Sequence, residues 1–509
     1  MTRLSTWLQP ARLALLLGIV AVAVRLALFL ANGAFAVHYP YELDYGEGIV
    51  WEQADLMLAG KGYGDITAFP FIVFHYPPVF HLAASGVNAL LPGDWLAAAR
   101  QVSLLATLAA AALCAWFVTL ASTRDDDRLT GMALAVVLFV STGPVIIWSA
   151  LARVDMIALA LTLGGLTVGI RSLERPRLLP LAALLFVLAV YARQTMVFAP
   201  AALFGTMLLV RPKQALKGIG WAMLFGLVIM AVMMALTGGR FVQHIFLYNV
   251  NRFSLENLQR MVDLGFLVQP HHWLLVVASA GFLAWTTLRS RDPADAATGT
   301  AGFAIRVALA YLLVSLLSLA LVAKLGSNVN YFVDLCAAGA LLAGAATARF
   351  RARALPTHDL GKLLPPALLM VLAMTTVITI PQTHRKHAEV RLPLAVLDRE
   401  VAAIRAADKP VITDDMVLVK KAGKNVVWET AIFTELAWAG MWDERLMLDR
   451  IARGEFAYIR TLGTGRSPYD GRYRPDVIAT IDRAYPVVVR QGRYFNHYPA
   501  GADGMSAAY

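Results

Sequence analysis

Tyr41-Glu42-Leu43-Asp44-Tyr45-Gly46-Glu47-Gly48 follows closely on an apolar run, Leu13 to Phe35. These two stretches together decide the fold. A run of that length crosses the ~30 Å hydrocarbon core as a single helix. The acids then stand where the membrane ends, with glycines interleaved that permit a tight backbone course and close approach of a ligand. Further on comes His75-Tyr76-Pro77-Pro78. Leu13 to Phe35 is too long for a usual signal-peptide core, and no clear small-residue cleavage site precedes the acids. It is read as a retained first span.

The rest of the chain agrees. Of 509 residues, 58% are hydrophobic and 16% charged, and the mean hydropathy is +0.61. A soluble chain of this size cannot cover its surface with so few charges. Spans are expected at 13–36, 98–121, 129–148, 155–172, 178–192, 195–210, 218–236, 273–288, 304–323, 330–347 and 363–380, eleven in all. Basic residues in short loops orient such spans. Arg124 and Arg128, Arg171, Arg175 and Arg177, Arg211, Lys213 and Lys217, Arg289 and Arg291, and Arg349, Arg351, Arg353 and Lys362 fall on one side. The N-terminus is therefore expected inside, and the acidic motif and C-terminal region outside. The formal net charge of +11 needs no nucleic acid, and no nucleic-acid motif is present. Cys114 and Cys336 lie inside apolar spans and read as small buried residues, not as a disulfide or a metal site.

The expected fold class is an α-helical polytopic membrane protein of about eleven transmembrane helices, with a small α/β extracytoplasmic C-terminal domain. Residues 1–380 form the membrane domain and 381–509 the external one. The first external segment, 37–97, holds seven acids (Glu42, Asp44, Glu47, Glu52, Asp55, Asp65, Asp94) against Lys61 alone. Ile49 to Ala59 reads as a short helix ended by Gly60, and Pro78 starts another that runs to about Leu91. The second segment, 237–272, carries His271-His272, adjacent and so unable to share one helix face as metal ligands. The tail shifts sharply in composition, with nineteen Lys/Arg and sixteen Asp/Glu in 129 residues. Pro410 to Thr413, Asn425 to Trp428, Phe456 to Thr461 and Pro486 to Arg490 look like strands, with helices between them, for example Trp442 to Ala452. Asp414-Asp415 is placed to cap a helix.

Asp44 and Glu47 are the candidates for chemistry. A carboxylate at the interface can take a proton from a hydroxyl nucleophile. Clustered acids can also hold a divalent metal ion through oxygen ligands; the alternative is a solvated acidic loop. Arg153 and Asp155 sit at an outer helix junction, where charges are costly unless paired or facing water. Arg153 can bind a phosphate while Asp155 orients it, or the two form a salt bridge. Arg193-Gln194-Thr195 lies at the next outer junction. Lys324, Asn330 and Tyr331 bring a cation, an amide and a ring to the membrane surface, groups suited to a pyranose and a phosphate. His75 and Tyr76, about thirty residues beyond the acids in the same external segment, are further candidates for binding such a sugar or phosphate, a structural role being the alternative for His75.

This pattern resembles the C-type glycosyltransferase superfamily, most of all the branch of protein O-mannosyltransferases and the lipid A aminoarabinose transferase. The resemblance rests on Asp44 and Glu47 after the first span, Gly60-Lys-Gly-Tyr63, Tyr76-Pro77-Pro78, Ala152-Arg153-Val-Asp155, Arg193-Gln194-Thr195 and Gly326-Ser-Asn-Val-Asn-Tyr331. It covers residues 1–350 as a pattern, and the tail only as a generic external domain. It implies a hexosyl- or pentosyltransferase of the cell envelope in the inner (cytoplasmic) membrane. Such an enzyme takes a sugar from a polyprenyl-phosphate donor on the outer face and passes it, with inversion, to a lipid, glycan or protein acceptor. Asp44 is then the base, with Glu47 supporting it. Arg153, Arg193 and Lys324 neutralise the leaving phosphate. Many relatives have adjacent acids, whereas here they are spread as Glu42, Asp44 and Glu47, which leaves open which is the base and whether a metal ion is needed. A transporter or flippase of lipid-linked sugars is the alternative; it would place polar groups and broken helices near the midplane. A non-catalytic scaffold would leave the acidic motif unexplained.

Overall fold

The structure is a computed structural model that describes residues 10–91, 93–123, 126–290, 293–354, 367, 368, 370–374 and 384–501. In lipid, every backbone polar group must be satisfied within the chain, so apolar sequence becomes helix. In order these helices are α1 (Pro10–His38), α2 (Glu47–Leu58), α3 (Val79–Leu90), α4 (Trp95–Leu120), α5 (Arg128–Ser141), α6 (Gly143–Trp148), α7 (Asp155–Arg171), α8 (Leu179–Val190), α9 (Phe198–Val210), α10 (Pro212–Leu236), α11 (Leu255–Val262), α12 (Pro270–Arg289), α13 (Thr300–Ser315), α14 (Ser318–Val322) and α15 (Val333–Ala354). Each span expected from 13–36 to 330–347 coincides with one helix or two in succession. The last, 363–380, lies outside the described residues apart from 367, 368 and 370–374. Among the described residues five helices are long and apolar enough to cross a membrane, or six if a pair bent by 75° between Leu267 and Pro270 counts as one span. Arg128–Ser141, Pro176–Val190 and Phe198–Val210 are apolar but shorter.

Helix α15 is the axis of the bundle. Its Ala- and Gly-rich sequence lets α4, α5, α12 and α13 pack closely around it. At its end Arg349, expected as a loop charge, is fully buried, with Nη1 2.8 Å from Asp295. The span expected at 129–148 is broken between α5 and α6, where Pro144 cannot continue the hydrogen-bond ladder. Two side chains satisfy the freed backbone. Gln269 donates to the Ser141 carbonyl and accepts from the Gly143 N–H, and Arg25 of α1 donates to the Val140 carbonyl at 2.6 Å.

The tail folds as helices against a four-stranded sheet of order β1-β2-β4-β3, where the strands are Ile412–Thr413, Ile459–Leu462, Val487–Gln491 and Tyr494–Tyr498. β1 and β2 run parallel; β4 is antiparallel to both β2 and β3. Asn425 to Trp428, expected as a strand of this sheet, does not join it. Trp428 instead bridges Phe71 of the first external segment, and the Phe71 N–H donates to the Val427 carbonyl at 2.9 Å. The two segments share one core: Ile66, Phe71 and Val73 pack with Ile412, Val427, Trp428 and Phe433. Lys420 binds Glu52 at 2.5 Å and Asp55 at 2.9 Å across the same seam. The acidic surplus of 37–97 is thus partly met by cations from the tail.

Candidate active site

Three acids follow α1, and each meets its own arginine. Glu47, the first residue of α2, is fully buried. Arg100 of α4 donates from Nε to its Oε1 at 2.8 Å and from Nη2 to its Oε2 at 2.5 Å. The same guanidinium reaches the carbonyls of Ala36, Tyr39 and Tyr41, tying the end of α1 to the loop. Glu47 also accepts the N–H groups of Leu43, Asp44 and Ala152. Burial opposes its charge, but Arg100 and these backbone donors outweigh it and hold the carboxyl below its ordinary value. Glu47 has no open face toward a substrate. Its part is to hold the backbone of Asp44.

Glu42 is buried too, 3.1 Å from Arg391 of the tail. Burial first, then the neighbouring Asp415, pushes its carboxyl well above the ordinary range. Asp44 differs from both. Its side chain is 21% exposed, and its Oδ2 lies 3.6 Å from Arg153 Nη1. Each of the three acids is thus engaged by a different arginine. Among the described residues no group of three or more His, Cys, Asp or Glu side chains is placed to hold a metal ion.

The glycines explain how Arg153 gets there. A Cβ on Gly46 would lie 1.4 Å from Arg153 Nη1, so only glycine leaves room for the guanidinium. A Cβ on Gly48 would fall 2.5 Å from the backbone of Met416 and Val417, so that glycine lets the tail helix Met416–Lys421 seat on α2. Arg153 Nη2 also donates to the Tyr76 hydroxyl at 3.2 Å. Its Nε is buried and has no partner.

Arg153 and Asp155 are not a pair. Asp155 Oδ1 binds Arg193 Nη1 at 2.9 Å and accepts from Asn330 Nδ2 at 2.8 Å. Arg193 in turn donates to the Asn330 carbonyl and stacks 4.6 Å from the Tyr331 ring centroid. Asp155 therefore orients Arg193, a partner thirty-eight residues away that spacing along one helix could not indicate. Tyr76 joins the two nodes. Its hydroxyl touches Arg153, and Asp155, Tyr331 and Arg193 all act on it electrostatically. Lys324 is tied elsewhere, with Nζ 3.5 Å from the Asn249 carbonyl; its backbone bridges Phe253.

The tail supplies residues that sequence reasoning missed. Glu429 is 6% exposed, and its Oε2 lies 3.8 Å from His75 Nε2. Burial first, then Arg153 and His244, pushes His75 down to about 3. Burial pushes Glu429 up to about 7 against Arg153 and Arg472. With His75 uncharged, the two do not form an ion pair. Arg472 stacks on Tyr45 at 3.8 Å from the centroid, and its Nη1 lies 3.6 Å from Asp414 Oδ1, an ion contact beyond hydrogen-bond range. Asp414 and Asp415 do not cap the following helix with their side chains. Asp414 accepts from the Leu462 N–H and the Tyr473 hydroxyl instead. One signal for the missed residues did exist: Arg100 and Glu429 are lone charges in apolar runs, which are costly unless engaged.

An apolar groove of about 330 Å³ opens between α8, α10 and the second external segment, lined by Pro77, Tyr191, Gln194, Met223, Met230 and Phe241 among others. Gln194 links it to the acids' side, since its amide donates to the His75 carbonyl at 2.8 Å.

No protein-family model matches the chain, and no curated protein matches it by sequence. Solved structures do match. The chain is similar to ArnT from Cupriavidus metallidurans bound to undecaprenyl phosphate, at a TM-score of 0.58 and 12% identity, over 95% of this chain and 98% of that one. Apo ArnT from the same organism gives a TM-score of 0.59 at 13% identity, over 94% and 97%. The oligosaccharyltransferase of Archaeoglobus fulgidus gives 0.52 at 10% identity, over 88% of this chain and 69% of that chain. At such identities the likeness is one of fold, and it extends through the tail as well as the membrane helices: this chain has the fold of the C-type glycosyltransferases, as ArnT does.

Proposed function

We propose that the protein is an integral-membrane glycosyltransferase that moves a sugar from a polyprenyl-phosphate donor to an envelope acceptor on the outer face of the membrane, with inversion. The observation that carries this reading is the contrast among the three acids. Asp44 is part-exposed beside Arg153, whereas Glu42 and Glu47 are buried against other arginines. Undecaprenyl phosphate bound to a protein of the same fold supports the donor class.

In this mechanism the acceptor hydroxyl gives its proton to the Asp44 carboxylate as its oxygen attacks the anomeric carbon. The bond from that carbon to the phosphate oxygen breaks, and the electron pair leaves with the polyprenyl phosphate. Arg153, with Nε unpartnered, and Tyr76 stabilise the charge that develops there. A donor of this kind, already in place before reaction, is often worth about 3–4 kcal/mol. Arg193 is held ready by Asp155, Asn330 and Tyr331 as a second cation. The groove beside Pro77 and Gln194 takes the apolar tail of the donor. Lys324 has no assigned step.

In this reading the chain crosses the cytoplasmic (inner) membrane eleven times, with the N-terminus inside and the tail outside. Reporter fusions after Lys217 and after Arg385 should then report opposite sides; the same side for both would sink this topology. A flippase would leave the α5–α6 break open to a passing headgroup, but Arg25 and Gln269 fill it. The deciding experiment is sugar transfer from undecaprenyl-phosphate donors by the purified protein. Transfer by wild type and its loss in Asp44→Asn is the expected result. Full transfer by the variant would remove Asp44 from the role of base.

A further inference from the structure

One side of the candidate site is built by residues that the membrane helices do not provide. Glu429 comes from the tail, at the residue preceding the helix Thr430–Trp438, and does not cap that helix with its side chain. Its position is fixed by the Phe71–Trp428 bridge and by the core of Phe71, Trp428 and Phe433. There its buried Oε2 has no hydrogen-bond partner. A buried polar atom left so costs about 1–3 kcal/mol unless something else satisfies it. Its neighbours do not: His75 Nε2 stands off at 3.8 Å, beyond hydrogen-bond range.

We propose that Glu429, carried to the side of His75 by the tail, is a specificity-determining residue whose unpartnered oxygen hydrogen-bonds a neutral hydroxyl of the donor's sugar. This rests on the polyprenyl-phosphate reading above. The place supports it. Arg153, proposed to meet the phosphate, acts electrostatically on both His75 and Glu429. A sugar linked to that phosphate is therefore within reach of the tail acid. The chemistry supports it as well. Around Glu429 the first external segment presents His75, α7 is preceded by Arg153, and the tail presents Arg472. Burial keeps His75 uncharged and leaves Glu429 able to hold its proton near pH 7. A protonated carboxyl both donates and accepts, as a sugar hydroxyl does. The unpartnered oxygen therefore matches a sugar hydroxyl.

The test compares two lipids on the full-length protein in detergent: undecaprenyl phosphate, and undecaprenyl phosphate carrying a neutral hexose or pentose. The readout is the ratio of their dissociation constants. In wild type the sugar-bearing lipid binds more tightly. Glu429→Ala should erase about 3- to 10-fold of that preference, the effect of one hydrogen bond, with bare undecaprenyl phosphate unaffected. Glu429→Gln, still a donor and an acceptor, should stay within about 2-fold of wild type. As pH rises from 6 to 8 the wild-type preference should fall while that of Glu429→Gln stays flat. This last comparison stands even if the alanine variant fails to fold. Equal weakening of both lipids would show a merely structural role and overturn the proposal, and so would an unchanged ratio or a flat wild-type profile. If wild type binds neither lipid, the polyprenyl-phosphate reading fails first, and the two failures are distinct.

Discussion

The Glu47–Arg100 and Asp44–Arg153 pairs are made of the same chemistry on one short turn, yet the structure uses them in opposite ways. Both oxygens of Glu47 are filled by Arg100 and three backbone N–H groups. Asp44 has one long ion contact and a backbone N–H at 3.3 Å. The first pair is a lock, closed on all sides, that fixes where the second stands. An acid with every lone pair engaged holds structure; one with capacity left over can react. Residue type does not separate the two, and neither does position along the chain.

The sharpest way to break this contrast is to neutralise each acid in turn. Asp44→Asn keeps size and removes basicity. Turnover should fall about 10²–10⁴-fold, the range for a general base. Donor binding should change little, since the loss falls on the transition state, and the thermal midpoint should stay near wild type. Glu47→Gln should do the reverse. Leaving Arg100 buried without its counter-charge costs about 3–5 kcal/mol, read as lost folded yield and a lowered midpoint. Added divalent cations should not restore activity, because Glu47 does not face a shared ion site. Rescue by a metal ion would overturn the assignment of Glu47 as a lock.

A smaller effect tests how the open pair is positioned. Gly46→Ala keeps a backbone angle that alanine tolerates, φ −86°. Its new methyl nevertheless collides with Arg153 Nη1. Arg153 must swing away from Asp44 and Tyr76. Turnover should fall by about 10-fold, within the up to 10²-fold that an ångström of misplacement can cost. The folded yield should match wild type. An unchanged rate would mean that the Asp44–Arg153 contact is incidental.

The sequence announced the membrane helices clearly, because runs such as Pro212–Leu236 have no other stable home than a spanning helix. It also showed that Asp44, Arg153 and Arg193 stand at helix ends. It could not show their partners. Asp155 is two residues from Arg153 but binds Arg193, and that choice depends on how α7 meets the loop before α9. Charge spacing likewise gave no hint that Glu429 would come back to His75, since the link runs through the packing of Phe71 on Phe433. Asn425 to Trp428 had the composition of a strand, and one bridge to Phe71 took it away from the tail's sheet. Helices follow from local pattern, whereas the site is made of long-range pairings.

The gentlest expected effect concerns the seam that holds the open side together. His244 of the second external segment is buried and bonded at both nitrogens. Its Nδ1 accepts the Phe74 N–H at 3.1 Å, and its Nε2 donates to the Gly64 carbonyl at 2.7 Å. The first contact requires an unprotonated Nδ1 and so the neutral ring; the second is kept on protonation. Burial pushes the imidazole down to about 4, below the ordinary value near 6.5. A histidine depressed in this way stabilises the fold fully above pH 6.5. That contribution is lost as the pH falls toward 4, because the unfolded chain binds the proton first. At pH 5 the loss amounts to about 2 kcal/mol by that linkage. Glu429 acts with the opposite sign, since its raised carboxyl favours the fold at low pH, so the raw curve mixes the two. The clean measurement is the difference in unfolding midpoint between wild type and His244→Gln, taken from pH 7.5 to pH 5. The gap should be widest at pH 7.5 and should narrow toward pH 5 as wild type loses the contribution that glutamine never had. A gap that stays constant with pH would show that His244 fills space there and that its proton plays no part in closing the seam between the first and second external segments.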